Sequence, residues 1–254
     1  MRAEFEGKTA LVTGASRGIG AATAVTLARE GCSRVLIHYH MHTEGAEQVM
    51  REIRAAGAET AGFQSDLSTP SGLGQLRQQL RQLAPEVDIL INNAGSLVQR
   101  ASLAEFTQEL FDRVMDLNFR SVWFLSQEVA PAMIRKGWGV IVNLSSIAAR
   151  HGGGPGAAIY AASKAAVACI TKGLAKELAP RGVRVNAVSP GTVDNDFHAK
   201  FSTPEMLEAM RKSAPAGRLG DNQEVADLIV FLCSEKARYI IGQTIEINGG
   251  MYMV

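Results

Sequence analysis

Apolar and polar positions along the chain follow two periods. Short runs rich in β-branched residues read as strands at 8–13 (KTALVT), 34–39 (RVLIHY), 60–65, 88–91 (DILI), 139–144 (GVIVNL), 183–188 (VRVNAV) and 243–247 (QTIEI). Between them, apolar residues recur at helical spacing near 18–30, 44–56, 72–83, 109–135, 158–180 and 222–234. Strands that alternate with helices predict an α/β fold: a doubly wound, seven-stranded parallel sheet of Rossmann type, with helices on both faces and right-handed crossovers. No linker, repeat or low-complexity tract interrupts the pattern, so 1–254 reads as a single domain. The pattern weakens at 191–220, which follows Pro190-Gly191 and contains Pro204 and Pro215. There Thr203 is an expected N-cap, with Pro204 at the first helical position. A long irregular insertion late in a compact fold is expected to be a substrate lid.

Composition narrows the function classes. At 254 residues and 46% apolar the chain can bury a sizeable core, and its 25 glycines allow many tight turns. A formal charge of +1, without like-charge blocks, points to neither nucleic acid nor an anionic membrane as partner. Cys32, Cys169 and Cys233 have no metal-ligand spacing, so no metal site is expected and buried reduced thiols are. The opening MRAEFEGKTALVTG has no targeting pattern, and no apolar run approaches a membrane span, so the cytoplasm is the expected location.

Candidate chemistry begins after the first strand, at Thr13-Gly14-Ala15-Ser16-Arg17-Gly18-Ile19-Gly20. Glycines in a strand-to-helix turn permit a tight loop and close approach of a pyrophosphate to the helix N-terminus, which predicts a dinucleotide site. The second strand ends at His38-Tyr39-His40-Met41-His42, with no carboxylate until Glu44 to accept from a ribose 2′-hydroxyl. Arg17 offers a cation for a 2′-phosphate, with assistance from the histidines if protonated, so NADP(H) is favoured and NAD(H) remains open. Asp66-Leu67 follows the third strand; Asp66 reads either as an acceptor for an adenine amino group or as a helix cap. Asn92-Asn93-Ala94-Gly95 follows the fourth, where small residues permit backbone contact with a ribose and the Asn side chains can lock the turn.

The second candidate is Tyr160-Ala161-Ala162-Ser163-Lys164, which opens a helix. Residues four apart share a helical face. A neighbouring ammonium is expected to lower the phenol from its ordinary value of about 10, preparing it for proton transfer near neutrality.

TGASRGIG, NNAG and YAASK, in that order, resemble the short-chain dehydrogenase/reductase family, and within it the 3-oxoacyl-acyl-carrier-protein reductase and glucose-dehydrogenase-like group. The resemblance extends to the terminal Gly242-Gln243…Asn248-Gly249-Gly250 segment. It implies hydride exchange between a nicotinamide cofactor and a carbonyl or carbinol carbon, with Tyr160 as proton donor and Lys164 as its partner. It also implies a serine beside them, Ser145 or Ser146, with Ser146 chosen because it directly precedes Ile147. Asn118 matches the helix residue that holds a water beside the lysine. Pro190, Gly191 and Val193 match the segment against the nicotinamide carboxamide. With the glycine loop, Tyr39, His40, Asp66, Leu67, Asn92, Ala94 and Gly95, these complete the expected cofactor cleft. Two departures stand out: the stretch between Ser146 and Tyr160 is about one residue longer than usual, and Asn195 replaces a common Thr.

The expected activity is NADPH-dependent reduction of a ketone or aldehyde of 3-oxoacyl type. The alternatives are oxidative turnover of an alcohol or sugar, and a nucleotide-sensing protein without chemistry. Pocket walls are expected from 96–102, 147–158 and 191–215, including Leu97, Val98, Ile147, Phe197 and Phe201 beside Arg150, His151 and His198. They suit a medium-sized carbonyl with a polar part. Arg100, Arg150, Lys200, Arg211 and Lys212 read as a basic surface for an acyl carrier or as solvated charges. The resemblance implies a homotetramer or homodimer, in keeping with the alanine-rich helix at 158–180 and the apolar tail.

Overall fold

Alternating side chains along each strand feed two separate cores. In β1 (Thr9–Val12), Ala10 and Val12 enter one apolar cluster and Leu11 the other. β2 (Arg34–Tyr39) divides in the same way, with Val35 and Ile37 on one face and Leu36 on the other. A strand buried on both faces needs a helical layer on each, and the computed structural model, which describes residues 4–254, has that arrangement. The first three residues of the amino-terminal segment considered above lie outside it.

The elements run α1 (Gly18–Arg29), α2 (Thr43–Ala55), β3 (Glu59–Gln64), α3 (Pro70–Leu83), β4 (Ile89–Asn92), α4 (Gln108–Met115), α5 (Ser121–Lys136), β5 (Gly139–Leu144), α6 (Ala148–His151), α7 (Ala158–Leu178), β6 (Val183–Pro190), α8 (Asp196–Phe201), α9 (Pro204–Ser213), α10 (Asn222–Cys233) and β7 (Thr244–Ile247). Among the described residues they form one seven-stranded parallel sheet in the order β3-β2-β1-β4-β5-β6-β7. The order reverses direction between β1 and β4, so a crevice opens beyond the carboxyl ends of these two strands. Helices α1, α2 and α10 cover one face, and α3, α5 and α7 the other.

Three expectations need correction. The helix read as continuous over 109–135 is two helices joined by a π-helical turn at Asp116–Arg120. The 191–220 segment holds two helices, α8 and α9, where one was expected; α9 does start as predicted, with Thr203 accepting from the Met206 N–H and Pro204 in the first turn. Cys32 and Cys233 are buried, but Cys169 on α7 is exposed. Among the described residues no helix is long and apolar enough to cross a membrane, and no group of His, Cys, Asp or Glu is arranged to hold a metal.

Candidate active site

The glycine loop is locked to the end of β4 by side chains of both. Thr13 Oγ1 accepts from the N–H groups of Asn93 and Ala94, each at 3.0 Å. Asn93 Nδ2 donates to the carbonyls of Thr13 and Gly14, at 2.8 and 3.1 Å. Gly14 has φ +63°, and a Cβ there would lie 2.9 Å from Ala94 Cα, so both conformation and space demand glycine. No side chain caps α1 at Arg17, which leaves its first N–H groups for an anion.

His38 lies beneath this loop, 2% exposed. Its Nδ1 accepts from the Gly14 N–H at 3.3 Å, so Nε2 carries the proton and donates to the Ser65 carbonyl at 3.0 Å. Burial pushes it down to about 4. His38 is therefore a neutral strut, and the expectation that it adds positive charge for a phosphate is wrong. His42 Nδ1 donates to the Ser16 carbonyl at 3.2 Å and ties α2 to the loop. Tyr39 packs against the core, while His40 stays exposed, 3.9 Å from Asp66 Oδ2.

The remaining nucleotide-side residues divide by where their side chains go. Asp66 Oδ1 accepts from the N–H and hydroxyl of Ser68, and the cap of α3 is Thr69, so Asp66 shapes the loop and caps no helix. Leu67 and Val193 are committed to the two cores, which leaves only their main chains for a cofactor. Asn92 points into the interior, donating to Asn143 Oδ1 at 2.9 Å and Ser126 Oγ at 3.3 Å. Gly191 is held by the Ile247 carbonyl, and the Pro190 carbonyl accepts from the Ile147 N–H. Asn195 caps α8 through the Phe197 N–H and donates to Asn222 Oδ1, so this departure from the family pattern serves the local helix.

The chemistry-bearing residues converge where β4, β5 and α7 meet. Ser146, just beyond β5, stands beside the Tyr160 phenol and acts to lower its pKa, while Ser146 Oγ accepts from the Ala148 N–H at 3.1 Å. Ser145 turns away, 4% exposed, and donates to the Lys164 carbonyl at 3.0 Å. Geometry thus separates the two serines that the sequence left open. Lys164 is 3% exposed; its ammonium donates to the Leu144 carbonyl at 2.7 Å and lies 5.9 Å from the Tyr160 ring centre. An ammonium has three donors. A Cβ at Gly95 would sit 2.9 Å from Nζ, so the glycine keeps that side of the amine open. A buried cation with spare donors beside an open floor fits a nucleotide ribose.

Burial dominates the electrostatics of the pair, and for the phenol it reverses the expected direction. Burial pushes the Tyr160 phenol up to about 12, with Ser146 pulling the other way. Burial also lowers Lys164 to about 8. The phenol is set by desolvation, opposed only by Ser146, and so moves opposite to the expected direction.

Asn118 explains the π turn. Its Nδ2 donates to the Val114 carbonyl at 2.8 Å, the acceptor its own N–H would use in an α-helix. The helix widens to compensate, and the Ser121 N–H reaches back five residues to the Asp116 carbonyl. The same amide donates to the Ser96 carbonyl and Oδ1 accepts from the Ser96 N–H. Fully buried, Asn118 pins the loop beside Lys164 through these side-chain bonds.

Sequence reasoning named the residues around the phenol as pocket walls, but not the contacts that join them. Phe197 of α8 lies against Tyr160, with ring centres 5.8 Å apart, and packs on His198 and Phe201. Arg100 donates to the carbonyls of Phe201 and Pro155, at 2.9 and 2.7 Å, and so joins three walls. Val98 has φ +63° in a γ-turn closed by the Gln99 N–H and Leu97 carbonyl, a strained state for a β-branched residue. The supposed basic surface is largely neutralised: Arg150 pairs with Glu246, and Arg211 and Lys212 with Glu208. Tyr160 and Phe197, Arg100 and its two carbonyls, and Arg150 and Glu246 lie 37 to 101 residues apart, which hides these contacts from any local pattern.

The comparisons agree with this architecture. The family model described as enoyl-(acyl carrier protein) reductase matches residues 14–252. A 3-oxoacyl-acyl-carrier-protein reductase of Staphylococcus epidermidis is 40% identical over 246 residues, covering 97% of this chain and 99% of that protein. Its counterpart in Escherichia coli is 40% identical over 250 residues, covering 98% and 99%. A mutant of a short-chain dehydrogenase/reductase from Serratia marcescens superposes with a TM-score of 0.88 at 35% identity, covering 98% and 99%. A glycine loop locked to β4, a Ser–Tyr pair above a buried lysine and relatives matched end to end place this chain in the short-chain dehydrogenase/reductase family.

Proposed function

We propose that the chain is an NADPH-dependent reductase of ketone or aldehyde carbonyls of 3-oxoacyl type. The observation that carries this reading is Tyr160 set between the Lys164 ammonium, 5.9 Å from its ring centre, and the Phe197 ring at 5.8 Å, with Ser146 beside its hydroxyl. The names of the relatives point to the substrate class. In this reading 191–220 is a substrate lid.

The glycine loop and the open end of α1 would hold the pyrophosphate, Lys164 the ribose, and Arg17 the 2′-phosphate. The bound nicotinamide supplies the hydride. The substrate oxygen would sit between the Ser146 hydroxyl and the Tyr160 phenol, and Ser146 would donate to it as negative charge develops there. A phenol held near 12 carries its proton throughout the neutral range, so Tyr160 is poised as an acid, which suits reduction. Once the proton has left, the Lys164 ammonium stabilises the phenolate. Phe197 and Phe201 would exclude water and strengthen both interactions.

The test is a screen of reduced-nicotinamide absorbance with short 3-oxoacyl thioesters, simple ketones and aldehydes, using NADPH and NADH side by side. The oxidised cofactors are run with alcohols and sugars. Turnover of 3-oxoacyl thioesters with NADPH is expected. Oxidation of sugars without any thioester reduction would overturn the reading.

A further inference from the structure

Arg17 is already engaged in this structure. Its Nη1 lies 3.2 Å from Oδ2 of Asp196, the first residue of α8. Among the described residues this is the ion pair that joins the glycine loop to the lid. A neutral tie runs beside it: Asn195 donates to Asn222 Oδ1, which would lie 3.7 Å from a Cβ on Gly18. The neutral tie makes no demand on Arg17, whereas the ionic tie uses the group that a 2′-phosphate would need.

We propose that Asp196 is a specificity-determining residue that competes with the cofactor's 2′-phosphate for the Arg17 guanidinium. The inference rests on the reading of Arg17 given above. A 2′-phosphate and a carboxylate repel each other when they share one cation. NADP(H) must therefore displace Asp196, while NAD(H), with no phosphate at that position, leaves the pair in place. The lid's first turn thus senses which cofactor is bound, and Asp196 narrows the preference for NADP(H) that Arg17 creates. Both side chains are more than half exposed, at 57% and 66%, so the effect is that of a surface pair and is screened by salt.

The experiment titrates NADPH and NADH, by cofactor fluorescence and without substrate, against wild type, Asp196→Asn, Arg17→Gln and the double variant. Asp196→Asn is expected to tighten NADPH by about two- to fivefold and leave NADH unchanged. The gain should vanish in the Arg17→Gln background and shrink at high salt. Asp196→Ala, which removes the amide as a replacement donor, should behave as Asp196→Asn does. If Arg17→Gln weakens NADPH selectively but both Asp196 variants leave NADPH unchanged, or shift both cofactors alike, the competition is disproved and the reading of Arg17 survives. If Arg17→Gln does not alter the NADPH-to-NADH ratio, the reading of Arg17 falls and the inference falls with it.

Discussion

Thr13, in the glycine loop, accepts two N–H groups from the end of β4 and is fixed by neighbouring parallel strands. Phe201, at the end of α8, is fixed by one guanidinium that reaches across from Arg100. The first contact is short and buried, and follows from strand register. The second depends on a long side chain in the partly exposed pocket wall. The nucleotide side therefore relies on shape, with glycines where a Cβ has no room, and the lid relies on reach. Substitutions should divide accordingly: changes in the cradle cost stability or cofactor binding, and changes in the lid cost substrate affinity.

The largest expected effect tests whether chemistry can be removed without disturbing either region. Tyr160→Phe keeps the ring that packs on Phe197 and deletes the proton. Turnover should fall by about 10²–10⁴-fold. Ser146→Ala should cost about 10²–10³-fold, the loss typical of one donor to a developing oxyanion. Cofactor affinity, measured by fluorescence titration, should stay close to wild type in both. A Tyr160→Phe variant that kept full turnover would remove the phenol from the mechanism.

Acid should load both regions over the same range, because burial pushes His38 in the cradle and His198 in α8 down to about 4 alike. His38 titrates near 4 when folded and near 6.5 when free. Between those values the unfolded chain binds the proton and the folded chain resists it. The stability tied to the neutral ring is thus complete above 6.5 and is lost as pH falls toward 4, up to about 3 kcal/mol. Urea denaturation across this range should show the loss. His38→Gln, which can still accept from Gly14 and donate to Ser65, should flatten that part of the profile. An unchanged slope in the variant would assign the acid sensitivity to other groups.

The lid side is tested through Arg100. Arg100→Met removes both carbonyl contacts and frees α8 from the Pro155 loop. KM for the carbonyl substrate should rise by about tenfold, with kcat and melting temperature little changed, and Arg100→Lys should restore part of the loss. Equal losses in kcat would instead place Arg100 in transition-state stabilisation.

The same contrast explains what could be read from the chain. The glycine loop, NNAG and YAASK are local strings, each lying within one turn or one helix, so the cradle and the Tyr–Lys pair were legible. The π turn at Asn118 was hidden because helical periodicity averages over a single wide turn. Helix α8 was hidden because six residues carry too little periodicity, and Arg17 and Asp196 meet across 179 positions. The direction of the phenol shift was misjudged for a different reason. Charge proximity can be inferred from spacing, but desolvation depends on what covers the group, and Phe197 is 37 positions away from the tyrosine it covers.

The smallest effect separates adjacent residues. Ser145 and Ser146 are chemically identical and follow the same strand, so a motif cannot tell them apart, yet one faces the helix backbone and the other the phenol. Ser145→Ala deletes a buried bond to the Lys164 carbonyl, which keeps its place in the hydrogen-bond ladder of α7. It should cost about 1 kcal/mol of stability, read as a lower urea midpoint at constant slope, with turnover near that of wild type. The Lys164 carbonyl lies on the helical turn that carries the ammonium. Its own hydrogen bond to Leu144 runs through the side chain and does not depend on Ser145. A fall in turnover as deep as that of Ser146→Ala would show that the backbone of α7 needs Ser145 to present Lys164, and the boundary between scaffold and chemistry would move inward by one residue.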